Sequence, residues 1–228
     1  EPALSPEYRY GHYQPASAYV ASPYRLTQAL AQLFVRNGGK VVRQDVRQAK
    51  ELAYENLVIC AGAFSGPFAA AFGADVPLQA WRGYHIMVPP DSVKLNGLVV
   101  DGDLHFAVTP MEEGIRVAGL IEFASLEAPP NYARADLFIK LARRLIPSFP
   151  STVETRWMGH RPGTPDSLPV IGRSPAARNV FFNFGHGTLG LTFGAISAQI
   201  LADVVAGRRG AIDAAPYRAE RFLPSSRR

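Results

Sequence analysis

Leu57-Val58-Ile59-Cys60-Ala61-Gly62-Ala63 is the stretch on which the fold turns. Its continuous apolar run suits a short strand buried on both faces, and the small residues after it suit a tight turn that begins a helix. Upstream, Ser22-Pro23 reads as a helix N-cap followed by proline at the first helical position. Leu26, Ala29, Leu30, Leu33 and Phe34 then recur on one helical face, and Asn37-Gly38-Gly39 stops the helix. Lys40-Val41-Val42 to Val46 is expected to be a strand. Helix, strand and buried strand make half of a nucleotide-binding α/β layer. The preceding half, a strand running into a glycine-rich turn, has no counterpart in these 228 residues.

Downstream the pattern changes. Residues 78–88, 98–100, 104–109 and 115–123 are β-rich, with Glu112-Glu113-Gly114 as a hairpin turn. Residues 131–146 read as a helix ended by Pro147, with Leu137, Leu141 and Leu145 on one stripe. Asp101 and Asp103 read as turn carboxylates. From Ser151 the α/β pattern returns. Val153–Trp157 is strand-like, Pro162-Gly163-Thr164-Pro165-Asp166 is turn chemistry, and Val170-Ile171 and Val180–Phe184 are short strands. Gly185-His186-Gly187-Thr188-Leu189-Gly190 then opens a long apolar helix to Ala206, stopped by Gly207. The expected fold is therefore α/β plus a β-rich insert: 1–77 a partial layer, 78–150 a mostly antiparallel sheet forming a separate lobe, and 151–228 the return to the layer.

Composition sets the outer limits. Apolar residues make up 47% and charged residues 19%, which supports a sizeable core. The net charge of +5 is spread along the chain without aromatic–basic interleaving, so a nucleic-acid partner is not expected. A soluble basic surface accounts for that charge, with attraction of anionic substrates or of a membrane surface as the alternative. No apolar run has the ~18 residues that a membrane span needs. Cys60, the one cysteine, reads as a buried small hydrophobe rather than a reactive thiol. His12, His85, His105, His160 and His186 are too scattered for a metal site. Ser65 has the look of a nucleophile elbow, but Ala63 stands where that motif needs glycine.

Three segments carry chemistry. Ala61-Gly62-Ala63 would let a ligand approach the backbone at a strand end; taken alone, it is equally a tight strand-to-helix turn. Arg161, held by Pro162 at a strand end, could present its planar fork to a carboxylate; the alternative is an ion-paired surface arginine. Gly185, Gly187 and Gly190 would bring the backbone close to a flat ligand, with the positive end of the following helix aimed at it. They fit Gly-x-Gly-x-x-Gly literally, yet no βαβ unit follows and no acidic residue stands at the right spacing, so this is not a dinucleotide fingerprint.

The order and spacing of these segments resemble the C-terminal portion of the FAD-dependent amino-acid oxidoreductases, a family that includes D-amino-acid dehydrogenases and glycine oxidases. Arg161-Pro162-Gly163-Thr164-Pro165-Asp166 with Pro169-Val170-Ile171-Gly172, and Gly185-His186-Gly187-Thr188-Leu189-Gly190, are the most specific motifs. Arg82-Gly83-Tyr84-His85 points to the D-amino-acid and D-hydroxyproline dehydrogenase branch. The resemblance implies FAD as cofactor. Val46, Ala61, Gly62 and Ala63 would lie on its adenine and ribose-phosphate side. Gly159, Gly185, His186, Gly187, Thr188, Leu189, Gly190 and Leu191 would lie on its ribityl and isoalloxazine side. Arg161 would hold the substrate carboxylate, and His105 or Phe106 falls where relatives place a pocket tyrosine. The implied reaction is oxidation of the C–N bond of an amino acid or secondary amine. The implied setting is cytoplasmic or peripheral to the inner membrane, and the electron acceptor is left open. The absent phosphate loop implies a fragment that needs an N-terminal FAD-binding segment or a partner chain. The alternative is a flavin-free remnant of the fold that acts through protein–protein contacts.

Overall fold

The computed structural model describes residues 1–49 and 52–224. Two compact units divide the chain. The first holds Glu1–Arg43, Gly83–Glu122 and Pro129–Gly159; the second holds Gln44–Arg82, Phe123–Ala128 and the residues from His160 onward. The expected boundaries at 77/78 and 150/151 thus stand beside divisions at 82/83 and 159/160, and the first 43 residues group with the middle of the chain.

The architecture is α/β with two sheets. Helix α1 (Pro23–Arg36) starts as expected, Ser22 Oγ accepting the Arg25 N–H, and ends at Asn37. Its apolar stripe is not covered: no residue of α1 is buried, and Leu30 and Phe34 are more than half exposed. Residues 40–46 do not form the expected strand, because no strand among the described residues pairs with them. Strand β1 (Leu57–Ile59) leads to α2 (Ser65–Ala71). Strands β2 (Gln79–Val88), β3 (Val99–Asp101), β4 (Phe106–Met111) and β5 (Gly114–Phe123) follow, then α3 (Ala133–Leu145). The chain closes with β6 (Thr155–Gly163), β7 (Val170–Arg173), β8 (Val180–Phe184) and α4 (Gly190–Val205). Pro162 and Gly163, expected in a turn, are the last residues of β6.

A five-stranded sheet has the order β3-β4-β5-β2-β6, with β3/β4 and β4/β5 antiparallel. Met111 pairs with Gly114, so Glu112 and Glu113 are the two hairpin residues. In the first unit, strand alternation sends Tyr84, Ile86 and Val88, Phe106 and Val108, and Ile115 and Val117 into one core. Helix α3 closes that core with Ala135, Phe138, Ala142 and Leu145 at helical spacing. In the second unit, a three-stranded sheet of order β1-β8-β7 pairs β1 with β8 in parallel and β7 with β8 antiparallel. The expectation that Val58 is buried is corrected: β1 is an edge strand and Val58 is 40% exposed. Cys60 is likewise exposed, although protein around its sulfur pushes the thiol pKa up.

Asp101 shows how the β3–β4 turn is locked. Its Oδ1 accepts the N–H groups of Asp103 (3.0 Å) and Leu104 (2.9 Å), and its Oδ2 accepts the Tyr8 hydroxyl (2.8 Å). Burial pushes this carboxyl's pKa up, but the Leu104 N–H, the Tyr8 hydroxyl and the Asp103 N–H together hold it below its ordinary value. A folded-state pKa below the unfolded one stabilises the protein above the unfolded value, and the contribution is lost as pH falls through the folded value. Asp101→Asn should therefore cost about 1.5–3 kcal/mol at neutral pH. In urea unfolding of both proteins, the gap should close below roughly pH 3.9; a gap that does not change with pH would contradict this account.

Candidate functional site

The second unit builds its site at one end of the parallel pair. Leu57 faces Val180, Val58 faces Phe181 and Ile59 faces Phe182, so β1 and β8 run together and finish at the same edge. The turn at residues 60–64 leaves β1, and the loop at residues 185–189 leaves β8, both from the carboxyl ends of the strands. In open α/β sheets this is where ligands bind. Gly62, Gly185 and Gly187 all have positive φ (+57°, +83° and +55°). Helix α4 begins at the end of the second loop, and no side chain caps its N-terminus. Its first N–H groups and its dipole therefore face the loop.

Strand β6 is tied to that loop. The Gly187 N–H donates to the Pro162 carbonyl at 2.7 Å. On the other side, Phe64 meets His160 edge to face, 6.0 Å between ring centroids. Arg161, between those two anchored residues, is half-buried. The Trp81 indole packs over two glycines. A Cβ on Gly163 would collide with the ring, and one on Gly187 would stand 3.3 Å from Cζ3. Beyond Gly163, the Thr164 hydroxyl donates to Leu168 O at 2.8 Å, and Arg221 pairs with Asp166 at 2.6 Å. These bonds make Asp166 a turn carboxylate. Burial pushes its pKa up, but the Arg221 hydrogen bond, followed by the Leu168 N–H, outweighs that and holds it low.

Several polar atoms of this unit are buried with no hydrogen-bond partner among the described residues: Ser65 Oγ, Trp81 Nε1, His160 Nδ1, Asn183 Oδ1 and His186 Nε2. A buried polar group usually finds a partner, and leaving one unmet costs about 1–3 kcal/mol. Their segments are those of the site: the start of α2, β2, β6, the end of β8 and the loop itself. Burial also pushes the His186 pKa below its ordinary value, so this imidazole is neutral at neutral pH. Among the described residues, no cluster of three or more His, Cys, Asp or Glu could hold a metal ion.

Of the residues singled out in the sequence, Ala61, Gly62, Ala63, Arg161 and Gly185 through Leu191 belong to this unit and its strand ends. Val46 lies outside helix and strand, 36% exposed. Gly159 is on β6, two residues before Arg161. His105 belongs to the first unit, exposed in the turn before β4 with φ +53°. Phe106, its neighbour, fills the first unit's core at 2% exposure. Sequence reading had no signal for Trp81 or Asn183. A tryptophan beside Arg82-Gly83 reads as core until its ring is seen lying on Gly163 and Gly187. Arg82 itself is buried and donates to the carbonyls of Ser125 and Ala128, which fastens the segment after β5.

The family model described as FAD dependent oxidoreductase matches residues 1–204. The chain is similar to a D-amino-acid oxidase of Bradyrhizobium diazoefficiens, 32% identical across 98% of this chain and 57% of the relative. It is also similar to a D-amino acid dehydrogenase of Paramagnetospirillum magneticum, 36% identical across 74% of this chain and 40% of that protein. Among solved structures, the L-proline dehydrogenase of P. horikoshii superposes with a TM-score of 0.73, 17% identity, 88% coverage of this chain and 59% of its own. The chain thus spans little more than half the length of the first of these relatives and less of the second.

The loop geometry makes a test of its own. Gly187→Val should cost about 1–3 kcal/mol, the strain of a β-branched residue at positive φ. It should also shift the emission of Trp81, whose ring it would displace. Gly194→Ala, in helix α4 with open space around it, should gain about 0.5–1 kcal/mol. Thermal unfolding of both variants checks the pair, and a Gly187→Val protein as stable as the parent would refute the loop conformation.

Proposed function

Because this chain belongs to the FAD dependent oxidoreductase family, we propose that it supplies the substrate-anchoring and ring-facing part of an enzyme that oxidises the C–N bond of an amino acid or secondary amine. The observation that carries this reading is the Gly187–Pro162 hydrogen bond. It joins the glycine loop, where a flat ring could lie, to the strand residue beside Arg161, where a carboxylate could be held.

The residues present fit FAD. The uncapped N-terminus of α4 suits the edge of the ring system that gains negative charge on reduction. Asn183, His186 and Trp81 offer unmet hydrogen-bonding atoms. Gly185, Gly187, Thr188, Leu189, Gly190 and Leu191 would line the ribityl and isoalloxazine side, with Gly159 on the adjoining strand. Ala61, Gly62, Ala63 and Val46 would serve the adenine and ribose-phosphate side. When bound, FAD supplies the two-electron acceptor. The protein's task is to hold the substrate's Cα–H toward the ring, with the fork of Arg161 on the carboxylate as anchor. The product imine is then hydrolysed by water. An amine that arrives neutral needs no general base. His105 stays a candidate pocket residue on the strength of the resemblance alone.

We read the sheet of β2–β6 as the substrate-side lobe, inserted in the chain between the two parts of the FAD layer. A D-amino acid, a proline-like or a glycine-like amine are the substrate classes favoured by the relatives' names. The reading also requires a phosphate-binding strand–turn–helix from outside these 228 residues, on the same protein or on a partner. Exposure of Val58 on edge strand β1, and of Leu191, Phe193 and Ile196 on α4, supports that requirement. The same exposed faces favour the second reading, a flavin-free fold that acts through protein contacts.

Residues 1–228 by themselves should bind FAD weakly, since the N–H groups that grip a pyrophosphate are not among them. Absorbance near 450 nm should appear when a phosphate-binding strand–turn–helix is supplied; tight stoichiometric FAD binding by the 228 residues alone would overturn this requirement. No flavin absorbance in either form would select the second reading.

In the flavin-bound protein, Arg161→Ala should lower kcat/KM for amino acids by about 30- to 5,000-fold, from the roughly 2–5 kcal/mol cost of unpairing a buried carboxylate partner. Arg161→Lys should keep the charge, lose the fork and fall between. Amines without a carboxylate should hardly respond. Equal losses on both substrate classes would remove Arg161 from the carboxylate site.

A further inference from the structure

The first unit contains a second concavity that the oxidoreductase reading does not use. It lies on the face of the five-stranded sheet opposite the one packed by α3, because its strand residues His85, Met87, Met111, Arg116 and Trp157 alternate with core residues. Its volume is about 550 Å³, within the usual range of about 300–1,000 Å³ for small-molecule sites. His85 and Trp157 form one wall, stacked with centroids 5.0 Å apart and planes at 22°. The chain makes room for this indole: a Cβ on Gly159 would collide with it. Met87 and Met111 add flexible, polarisable thioethers suited to an aromatic edge.

Arg116 is the group in this cavity that calls for a ligand. It is half-buried, its Nε is shut away from solvent, and that nitrogen has no hydrogen-bond partner among the described residues. None of the described carboxylates is within ion-pair distance of it. Glu113 lines the same cavity but is engaged by the Ser22 hydroxyl. Burial accordingly pulls the guanidinium's pKa below its ordinary value. Its cross-strand neighbour on β4 is Thr109, which brings no charge. A charge partly withdrawn from water without a partner is unfavourable, and a bound carboxylate would offset that cost. A planar guanidinium is matched by the two oxygens of a carboxylate.

We propose that this cavity binds a small carboxylic acid with an aromatic body, the carboxylate on Arg116 and the ring against Trp157, Met87 and Met111. The site lies wholly within one unit, its lining includes neither Arg161 nor the loop at residues 185–189, and it requires no bound flavin.

Phenylacetate is the probe, titrated by calorimetry and by Trp157 emission in a Trp81→Phe background, without added flavin. Saturable one-site binding is expected. Arg116→Gln should weaken it at least tenfold, and Arg116→Lys less. Acetate, which lacks the ring, and phenethyl alcohol, which lacks the carboxylate, should each bind at least tenfold more weakly than phenylacetate. Met111→Phe, which fills the cavity and keeps the strand apolar, should abolish binding while the circular dichroism spectrum is unchanged. That variant keeps the test decisive if Arg116→Gln folds poorly. Binding unchanged in Arg116→Gln and Met111→Phe, or lost in Arg161→Ala instead, would overturn the proposal. Acetate binding as tightly as phenylacetate would overturn it too.

Discussion

The parallel ladder between β1 and β8 is the constraint on which the candidate site depends. It pairs Leu57–Ile59 with Val180–Phe182, segments from opposite thirds of the chain, and it sets the direction in which both strands end. An antiparallel pairing of the same residues would send the two loops to opposite ends of the sheet. Because the pairing is parallel, the small residues after β1 and the glycine loop after β8 leave from one edge. The loop's own hydrogen bond to Pro162 then brings β6 and Arg161 to that edge.

The same ladder explains why so much apolar surface is open. Parallel sheets are normally covered on both faces and flanked by further strands, because their strands are apolar throughout. Here β1 is an edge, its burial alternates, and Val58 faces outward. Helix α4 shows the same imbalance: it is apolar along most of its length, yet buries only Ser197, Ile200 and Leu201. Exposed apolar surfaces of this kind mark contact sites for protein or ligand.

The first unit has a different balance. Its core is closed by α3 on one sheet face, and polar groups near it are satisfied. Tyr84 donates to Glu122 at 2.6 Å and accepts the Asn131 N–H, while Arg134 pairs with Glu122 at 2.8 Å. Against that satisfied network, Arg116 stands out as a half-buried charge on the opposite sheet face. Glu122 and Asp101 have their hydrogen-bonding needs met within the unit, whereas the Arg116 Nε has no partner among the described residues.

Local chemistry was legible in the sequence wherever the physics is local. Ser22-Pro23 and Asn37 bound α1 because capping involves only neighbouring residues, and the composition of 78–88 and 115–123 already marked them as β-rich. The glycines of residues 185–190 announced a backbone open to close approach, and Gly185 and Gly187 do have positive φ. What the sequence could not decide is everything that depends on which strands become neighbours. The stretch at 40–46 has the composition of a strand but no partner, and Val58 has that of a core residue but an open side. Trp81 lies against Gly163 and Gly187, and Arg116 lacks an acid, only because the sheets bring distant residues together or keep them apart. Periodicity and capping are properties of a segment, whereas pairing, burial and an unmet charge are properties of the assembled fold, and only the tertiary structure determines them.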